Sequence, residues 1–299
     1  MKNITIGGSL GSGKSSVGKI VAEHLEYEFI STGSIFRRIA SERNLDALET
    51  NAAAETDDSI DEEIDGFIKS RMHEEPPFVM DSRMAPHFVE GSFKVYLAVS
   101  ADEAASRVLG DKIRKQEFYS SFEGAKSSLI ERRRFERDRY FAKYGFDIDD
   151  QSVYDLVIQT DGASPQQIAD CLMHAYKNNA CGEMFIHRSM LVPMMSIRDL
   201  SGADDDTLRS LPKPVSVTAA FDAPFAYVFE QPLHLAAALR GDAELVRIEQ
   251  TVPSYLKDDE QLFQMAQNLG LSHFYDWDDI TNGSLKIVQM ASNQPQSIH

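Results

Sequence analysis

The chain has 299 residues, of which 42% are hydrophobic and 26% charged, and its net charge is −17. That composition suits a globular protein of one large or two ordinary domains, and no apolar run approaches the length of a membrane span. Up to residue 181 there are 22 Lys+Arg against 31 Asp+Glu, and from Gly182 onward 8 against 16, which excludes broad electrostatic attachment to nucleic acid and leaves only local basic clusters for any such contact.

The first element is a short buried strand at Ile4–Ile6. It opens the sequence directly, which predicts no signal peptide and a cytoplasmic protein, within a host's cytoplasm if the source is viral. Then comes Gly8-Ser9-Leu10-Gly11-Ser12-Gly13-Lys14-Ser15, which matches the phosphate-loop pattern G-x-x-x-x-G-K-[ST] without a mismatch. An amphipathic helix over Lys14–Glu26 follows, so strand, loop and helix stand in the order that a phosphate loop requires. The glycines let consecutive backbone N–H groups point inward, and the helix start adds its partial positive charge. The pattern assigns Gly8, Ser9, Gly11, Ser12, Gly13, Lys14, Ser15 and Ser16 to the nucleotide. Lys14 would reach the β- and γ-phosphates of ATP, and the Ser15 hydroxyl would hold Mg²⁺.

Strand and helix then alternate. Further strands are expected at Glu28–Ser31, Phe78–Asp81, Lys94–Val99 and Asp155–Gln159. Helices are expected at Gly33–Arg43, Asp61–Arg71, Ala101–Leu109, Ser121–Lys143 and Pro165–Tyr176. Short, apolar strands separated by helices predict an α/β fold, a parallel sheet with helices on both faces. Asp81 ends a strand at the carboxyl edge of that sheet, where open α/β folds bind ligands. Three roles are open to it: holding Mg²⁺ through water, acting as a base, or capping the next segment. The polar stretch Lys177–Gly182 reads as a linker, giving domains at 1–180 and 184–299.

Several separated segments resemble the cytidylate-kinase family, especially its short archaeal-type branch. They are the phosphate loop, Ser31–Arg37, Phe78–Arg83, the run Glu131-Arg132-Arg133-Arg134-Phe135-Glu136-Arg137-Asp138-Arg139-Tyr140, Tyr144–Asp150 and Tyr154–Ile158. The resemblance covers roughly residues 1–178 and implies a P-loop nucleotide kinase using ATP and Mg²⁺. It casts Arg132, Arg137 and Arg139 as a lid, joining Lys14 and Asp81 as catalytic residues. Arg37, Arg83 and Ser34 would hold the acceptor, and Ser15 and Asp81 the metal. Without the phosphate loop, the arginine run would read as a solvated helix face paired with Glu131, Glu136 and Asp138. The family often has an acidic residue where Ser34 stands and usually Glu where Arg133 stands.

Beyond the linker, prolines punctuate short apolar runs such as Val215–Ala220 and Phe225–Phe229. Helical stretches are expected at Leu233–Arg240 and Asp258–Leu269, with a frayed tail at Ser292–His299. This reads as a smaller α+β domain. Leu191–Arg198, Val228–Gly241 and Leu245–Ile248 resemble the ParB/sulfiredoxin-like fold, which implies a DNA-associated or dimerising platform and a possible homodimer. Pro232-Leu233-His234 stands where nucleotide-binding members carry a Gly-His-Arg-type turn, so triphosphate chemistry is not expected there. Cys171 and Cys181, with His174 and His187 nearby, match no zinc spacing and read as reduced thiols.

The resulting expectation is a kinase whose acceptor is a pyrimidine nucleotide, free or within DNA. The leading candidate is the hydroxyl of 5-hydroxymethyl-dU in DNA, because phage DNA-hypermodification kinases resemble cytidylate kinases in their core. The altered acceptor side and the ParB-like appendage favour it. The acidic charge favours the other, the phosphate of free CMP or dCMP. A nucleotide-binding regulator with little catalysis is the reading from a different class, and the intact Lys14, Ser15 and arginines speak against it.

Overall fold

The computed structural model describes residues 2–43, 59–71, 77–110, 121–193, 204–211, 215–222, 224–228, 231–241, 244–252, 273–275 and 287–289. The chain divides into two compact units, one of residues 1–160 with 164–183, the other of residues 161–163 with the chain from Met184 onward.

In the first unit the elements run β1 (Ile4–Gly8), α1 (Lys14–Leu25), β2 (Glu28–Ser31), α2 (Thr32–Glu42), α3 (Ser59–Arg71), β3 (Phe78–Asp81) and α4 (Ala85–Phe88). They continue with β4 (Phe93–Ala98), α5 (Ala101–Gly110), α6 (Phe122–Tyr144), β5 (Leu156–Gln159) and α7 (Pro165–Lys177). The strands lie in the order β2-β3-β1-β4-β5, and every neighbouring pair is parallel. Each strand is followed by a helix that carries the chain back, which is what parallel pairing requires. The expected strands and helices all form, with ends shifted by a residue or two. The exception is α4, whose four residues are too few to show a helical period.

Ile4, Ile6, Phe78, Val79, Met80, Val95, Leu97, Leu156 and Ile158 are fully buried, so both faces of the sheet are covered. Ile6 turns toward Gly18 of α1, and Asp81, its register partner, toward Ser15 of the same helix. Phe78, Met80 and Ile30 pack in the opposite layer with Ile68 of α3, Ala85 of α4, and Tyr140 and Tyr144 of α6. Truncating one of these side chains to alanine costs about 2–5 kcal/mol.

Helix ends are chemically marked. Ser121 accepts the Gly124 N–H at 3.1 Å to start α6, and Gly145, at φ 78°, ends it. Ser164 and Gln167 form a reciprocal capping box at the start of α7, with Pro165 in the first turn.

The second unit is a mixed sheet, β6 (Glu183–His187), β7 (Leu191–Pro193), β8 (Ser216–Asp222), β9 (Phe225–Val228) and β10 (Leu245–Val252), with helices α8 (Asp205–Arg209) and α9 (Pro232–Arg240). The strand order is β6-β10-β8-β9-β7. β10 pairs antiparallel with β6 and parallel with β8, while β9 pairs antiparallel with β8 and parallel with β7. Leu235, Ala238 and Leu239 of α9 pack on Ile186, Val217, Ala226, Val228, Val246 and Ile248. A small antiparallel pair, β11 (His273–Tyr275) and β12 (Ile287–Gln289), is also described. The helix expected at Asp258–Leu269 and the tail Ser292–His299 lie outside the described residues. Among the described residues no helix is long and apolar enough to cross a membrane.

Candidate active site

β1 delivers the chain into the phosphate loop at the carboxyl edge of the sheet. Gly7 and Gly8 still pair with Tyr96 and Leu97 of β4. Gly8 lies at φ 119°, and a Cβ there would stand 2.2 Å from the Leu97 carbonyl oxygen. Gly13, at φ 88°, caps α1 in the left-handed region, yet a Cβ there would meet nothing within 4 Å. Close backbone approach demands the first glycine, and backbone conformation alone the second.

Ser9 is engaged on every side. Its N–H donates to the Leu97 carbonyl at 2.9 Å. Its own carbonyl accepts from Ser12 Oγ at 2.8 Å and from Lys14 Nζ at 2.6 Å. Its side chain bonds to Tyr96. Lys14 Nζ also donates to the Gly8 carbonyl, at 3.0 Å, so the lysine lies folded along its own loop. Burial pushes its ammonium down to about 7, against the pull of Asp81 and with the help of Arg83. The first N–H groups of α1, including those of Ser15 and Ser16, have no intrahelical acceptor by geometry and remain available to an anion.

Asp81 is 7% exposed. Its Oδ2 accepts from Ser15 Oγ in a short bond and from Ser31 Oγ at 3.4 Å, while its carbonyl accepts from Thr32 Oγ1 at 3.3 Å. β2, β3 and α1 are thereby joined at one point. The Ser15 hydroxyl and the Asp81 carboxylate are adjacent hard oxygen donors, a set that could hold Mg²⁺ if phosphate oxygens and water filled the other positions. Among the described residues no group of three or more His, Cys, Asp or Glu is placed to hold a metal alone.

A cationic cluster adjoins the loop. Glu136 of α6 is buried, 6% exposed. Its Oε2 lies 2.6 Å from Arg83 Nε and its Oε1 3.2 Å from Arg132 Nε. Burial pushes the Glu136 carboxyl up, but Arg83, then Arg132, outweigh it and hold it below the usual carboxylate range. Lys14 sits in the field of Asp81, Arg83, Glu136 and Arg133 together. Arg139 lies beside this group, its guanidinium 4.9 Å from the Tyr140 ring centre and Nη2 3.7 Å from Asp61 Oδ1. Arg133 binds both oxygens of Asp149 and the Tyr96 hydroxyl, which links α6 to the loop through Ser9.

The remaining expected site residues are placed differently. Arg137 is exposed and grips Asp147 through Nε, at 2.9 and 3.0 Å, and through Nη2 at 2.5 Å. The structure therefore does not bring Arg137 together with Arg132. The exposed Ser34 hydroxyl turns back onto the Ser31 carbonyl at 2.5 Å. Arg37 lies in α2, but its side chain is not among those described. Glu136 was not expected in the site, whereas Arg133 was expected near the acceptor side or lid, as a departure from the family's usual Glu. The spacing of four between Arg132 and Glu136 was a signal for their pairing, but nothing local said that the pair is buried. Away from the site, burial pushes the Cys171 thiol up to about 12, and Cys181 is exposed and free.

A family model described as "Cytidylate kinase-like family" matches residues 3–162, more than half of the chain. The chain belongs to this family. It is a phosphotransferase with a nucleotide-binding kinase domain. It is similar to the cytidylate kinase of Haloarcula marismortui, 38% identical over 178 residues, covering 58% of this chain and 89% of that one. It is also similar to the cytidylate kinase of Methanosarcina barkeri, 37% identical over 172 residues, covering 56% of this chain and 93% of that one. A further relative is the S-adenosylmethionine-dependent nucleotide dehydratase of Lacinutrix mariniflava, 34% identical over 183 residues, 60% of this chain and 37% of that one. Family membership therefore describes the kinase-like segment and leaves the acceptor to be argued from the site.

Proposed function

We propose that the chain transfers the γ-phosphoryl group of ATP to the phosphate of a free pyrimidine nucleotide, CMP or dCMP. The observation that carries this reading is the pairing of an engaged carboxylate with a cationic acceptor side. A hydroxyl acceptor gains from a base within hydrogen-bond reach, whereas a phosphate is already an anion and needs cations. Asp81, the candidate base, already accepts from Ser15 and Ser31. Arg83 and Arg132 meet beside it on Glu136.

In this reading the N–H groups of Gly13–Ser16 at the start of α1 and the Lys14 ammonium hold the donor phosphates. Ser15 and Asp81 hold Mg²⁺, which when bound neutralises phosphate charge. Arg83 grips the acceptor phosphate, and the resemblance alone adds Arg37 and Ser34 to the acceptor side. Arg132, flanked by Arg139, stabilises charge on the moving group.

The test is ATP consumption with CMP, dCMP, 5-hydroxymethyl-dUMP and 5-hydroxymethyluracil-containing DNA offered side by side. Turnover with CMP or dCMP is expected, together with no transfer to the DNA. Transfer to the DNA hydroxyl without CMP or dCMP turnover would replace this reading with the DNA-modifying one. Asp81→Asn would then cost about 10²–10⁴-fold as loss of a base.

A further inference from the structure

Tyr96 is buried in β4, beside the start of the phosphate loop. Gly7 is its register partner across β1 and β4, and the next pair, Gly8 and Leu97, leads to the Ser9 N–H bond on the Leu97 carbonyl. A phenol offers one proton and two lone pairs. Arg133 Nη2 donates to one lone pair of Tyr96, and the Tyr96 proton goes to Asp149 Oδ1 at 3.3 Å. The Ser9 side chain bonds to the same hydroxyl, filling its capacity. Arg133 is itself fixed by Asp149, with Nε 3.2 Å from Oδ2 and Nη2 on Oδ1. A planar fork on a carboxylate sets the direction of the guanidinium as well as its place.

The core does not need this junction. The Tyr96 ring packs edge-on against Tyr154, centres 5.0 Å apart, with or without its hydroxyl. Ala125 and Leu129 hold α6 against α5, and Tyr140 and Tyr144 hold it in the layer with Phe78 and Met80. At the other end, the Ser9 carbonyl accepts from Lys14 Nζ at 2.6 Å and from Ser12 Oγ at 2.8 Å. The relay from Asp149 through Arg133 and Tyr96 therefore ends on the residue that holds Lys14.

We propose that Tyr96 and Arg133 are positioning residues for the phosphate loop: through the Tyr96 hydroxyl, the arginine-rich helix sets Ser9, and with it Lys14, before ATP arrives. The inference rests on the kinase reading of this site and adds a dependence of the donor side on α6. A loop already in its binding geometry loses less freedom when ATP binds. Cutting the relay lowers ATP affinity by the share of time that the loop spends outside that geometry.

The experiment is calorimetric titration of ATP with Mg²⁺ into the full chain, Tyr96→Phe, Arg133→Ala, the double variant and Arg133→Lys, with thermal melting to establish folding and turnover with CMP and dCMP alongside. Each single variant should bind ATP about 3- to 10-fold more weakly. The double variant should bind no more weakly than the weaker of the two singles, because both changes cut one relay. Arg133→Lys keeps the charge and loses the fork, so it should bind ATP about as weakly as Tyr96→Phe. Unchanged ATP affinity in folded Tyr96→Phe overturns the proposal, as do losses that multiply in the double variant. Full affinity in Arg133→Lys also overturns it, since Arg133 would then act through charge alone. If the Arg133 variants do not fold, Tyr96→Phe and Ser9→Ala form the cycle instead: losses that fail to multiply support the relay, and losses that multiply overturn it. A wild-type chain that binds ATP but phosphorylates neither CMP nor dCMP defeats the acceptor reading, and the affinity cycle still decides the role of Tyr96 and Arg133.

Discussion

The phosphate loop and the arginine-rich helix α6 both present positive charge to one site, and they do so by different physics. In the loop the geometry comes from the backbone: Gly8 lies against Leu97, Gly13 caps α1, and the Lys14 ammonium rests on the carbonyls of Gly8 and Ser9. In α6 four arginines take their positions from carboxylates, one on the same helix and three outside it: Arg132 from Glu136, Arg133 from Asp149, Arg137 from Asp147 and Arg139 beside Asp61. A backbone-built site is penalised at each glycine, by contact or by conformation. A side-chain-built site is as selective as its ion pairs, so arginines of equal charge contribute very unequally.

The largest effect should come from Lys14→Ala, which removes the one side-chain cation the loop supplies. Turnover should fall by about 10²-fold or more, the scale of one transition-state charge contact, with little change in melting temperature. Near-normal turnover in the folded variant would end the kinase assignment. Next, the two loop glycines should separate. Gly8→Ala places a Cβ 2.2 Å from a backbone carbonyl oxygen at φ 119°, and should destabilise by about 3 kcal/mol or more. Gly13→Ala meets only the left-handed penalty of about 1–2 kcal/mol. Denaturant unfolding of both variants measures the difference, and equal losses would mean that the Leu97 contact does not shape the loop.

The same contrast decides what could be read from the sequence. A phosphate loop is local, so eight consecutive residues with a strand before and a helix after were enough to place Lys14 and Ser15. The pairing of Ser15 with Asp81 was within reach, because the end of a parallel strand beside the loop is a general ligand position. The arginine run was legible as a helix and as a source of charge. Which of its members would reach the site was not, because that depends on Asp61, Glu136, Asp147 and Asp149, and three of these lie outside α6. Glu136 figured in the sequence only as a partner in the solvated-face alternative, and burial between Arg83 and Arg132 is a property of packing that no helical spacing carries. In the second unit the apolar runs announced strands. Their mixed order, with β10 between β6 and β8, follows from long-range pairing that alternation alone does not encode.

A pH series sharpens the comparison at the loop. Burial brings Lys14 to about 7 in the nucleotide-free protein, whereas the arginines keep their charge throughout. Only protonated Lys14 attracts phosphate, so ATP binding should be strongest below pH 7. As pH rises through and beyond 7 the affinity should fall, approaching about tenfold per unit, the slope of one proton. Titration of ATP from pH 6 to 9 measures this, and Lys14→Ala should remove that component of the slope. A wild-type slope no steeper than that of Lys14→Ala would place the Lys14 ammonium in water rather than in the loop.

The smallest effect is expected at Arg137, where sequence resemblance and geometry point in different directions. Arg132 and Arg137 stand five residues apart on α6, about 140° apart around the helix axis. One joins the buried Glu136; the other is exposed and held by both oxygens of Asp147. An exposed ion pair is screened and weak, and an arginine committed to it cannot also line the site. Arg132→Ala should therefore lower kcat by about 10²-fold. Arg137→Ala should change it by less than about threefold, and Asp147→Asn should do no more, as expected for an exposed pair. Comparable losses in Arg132→Ala and Arg137→Ala would mean that Arg137 leaves Asp147 during turnover and that the two arginines act as one clamp. In that case Asp147→Asn, by releasing Arg137, should raise kcat rather than leave it unchanged, so the three variants together establish which arginines of α6 serve the reaction.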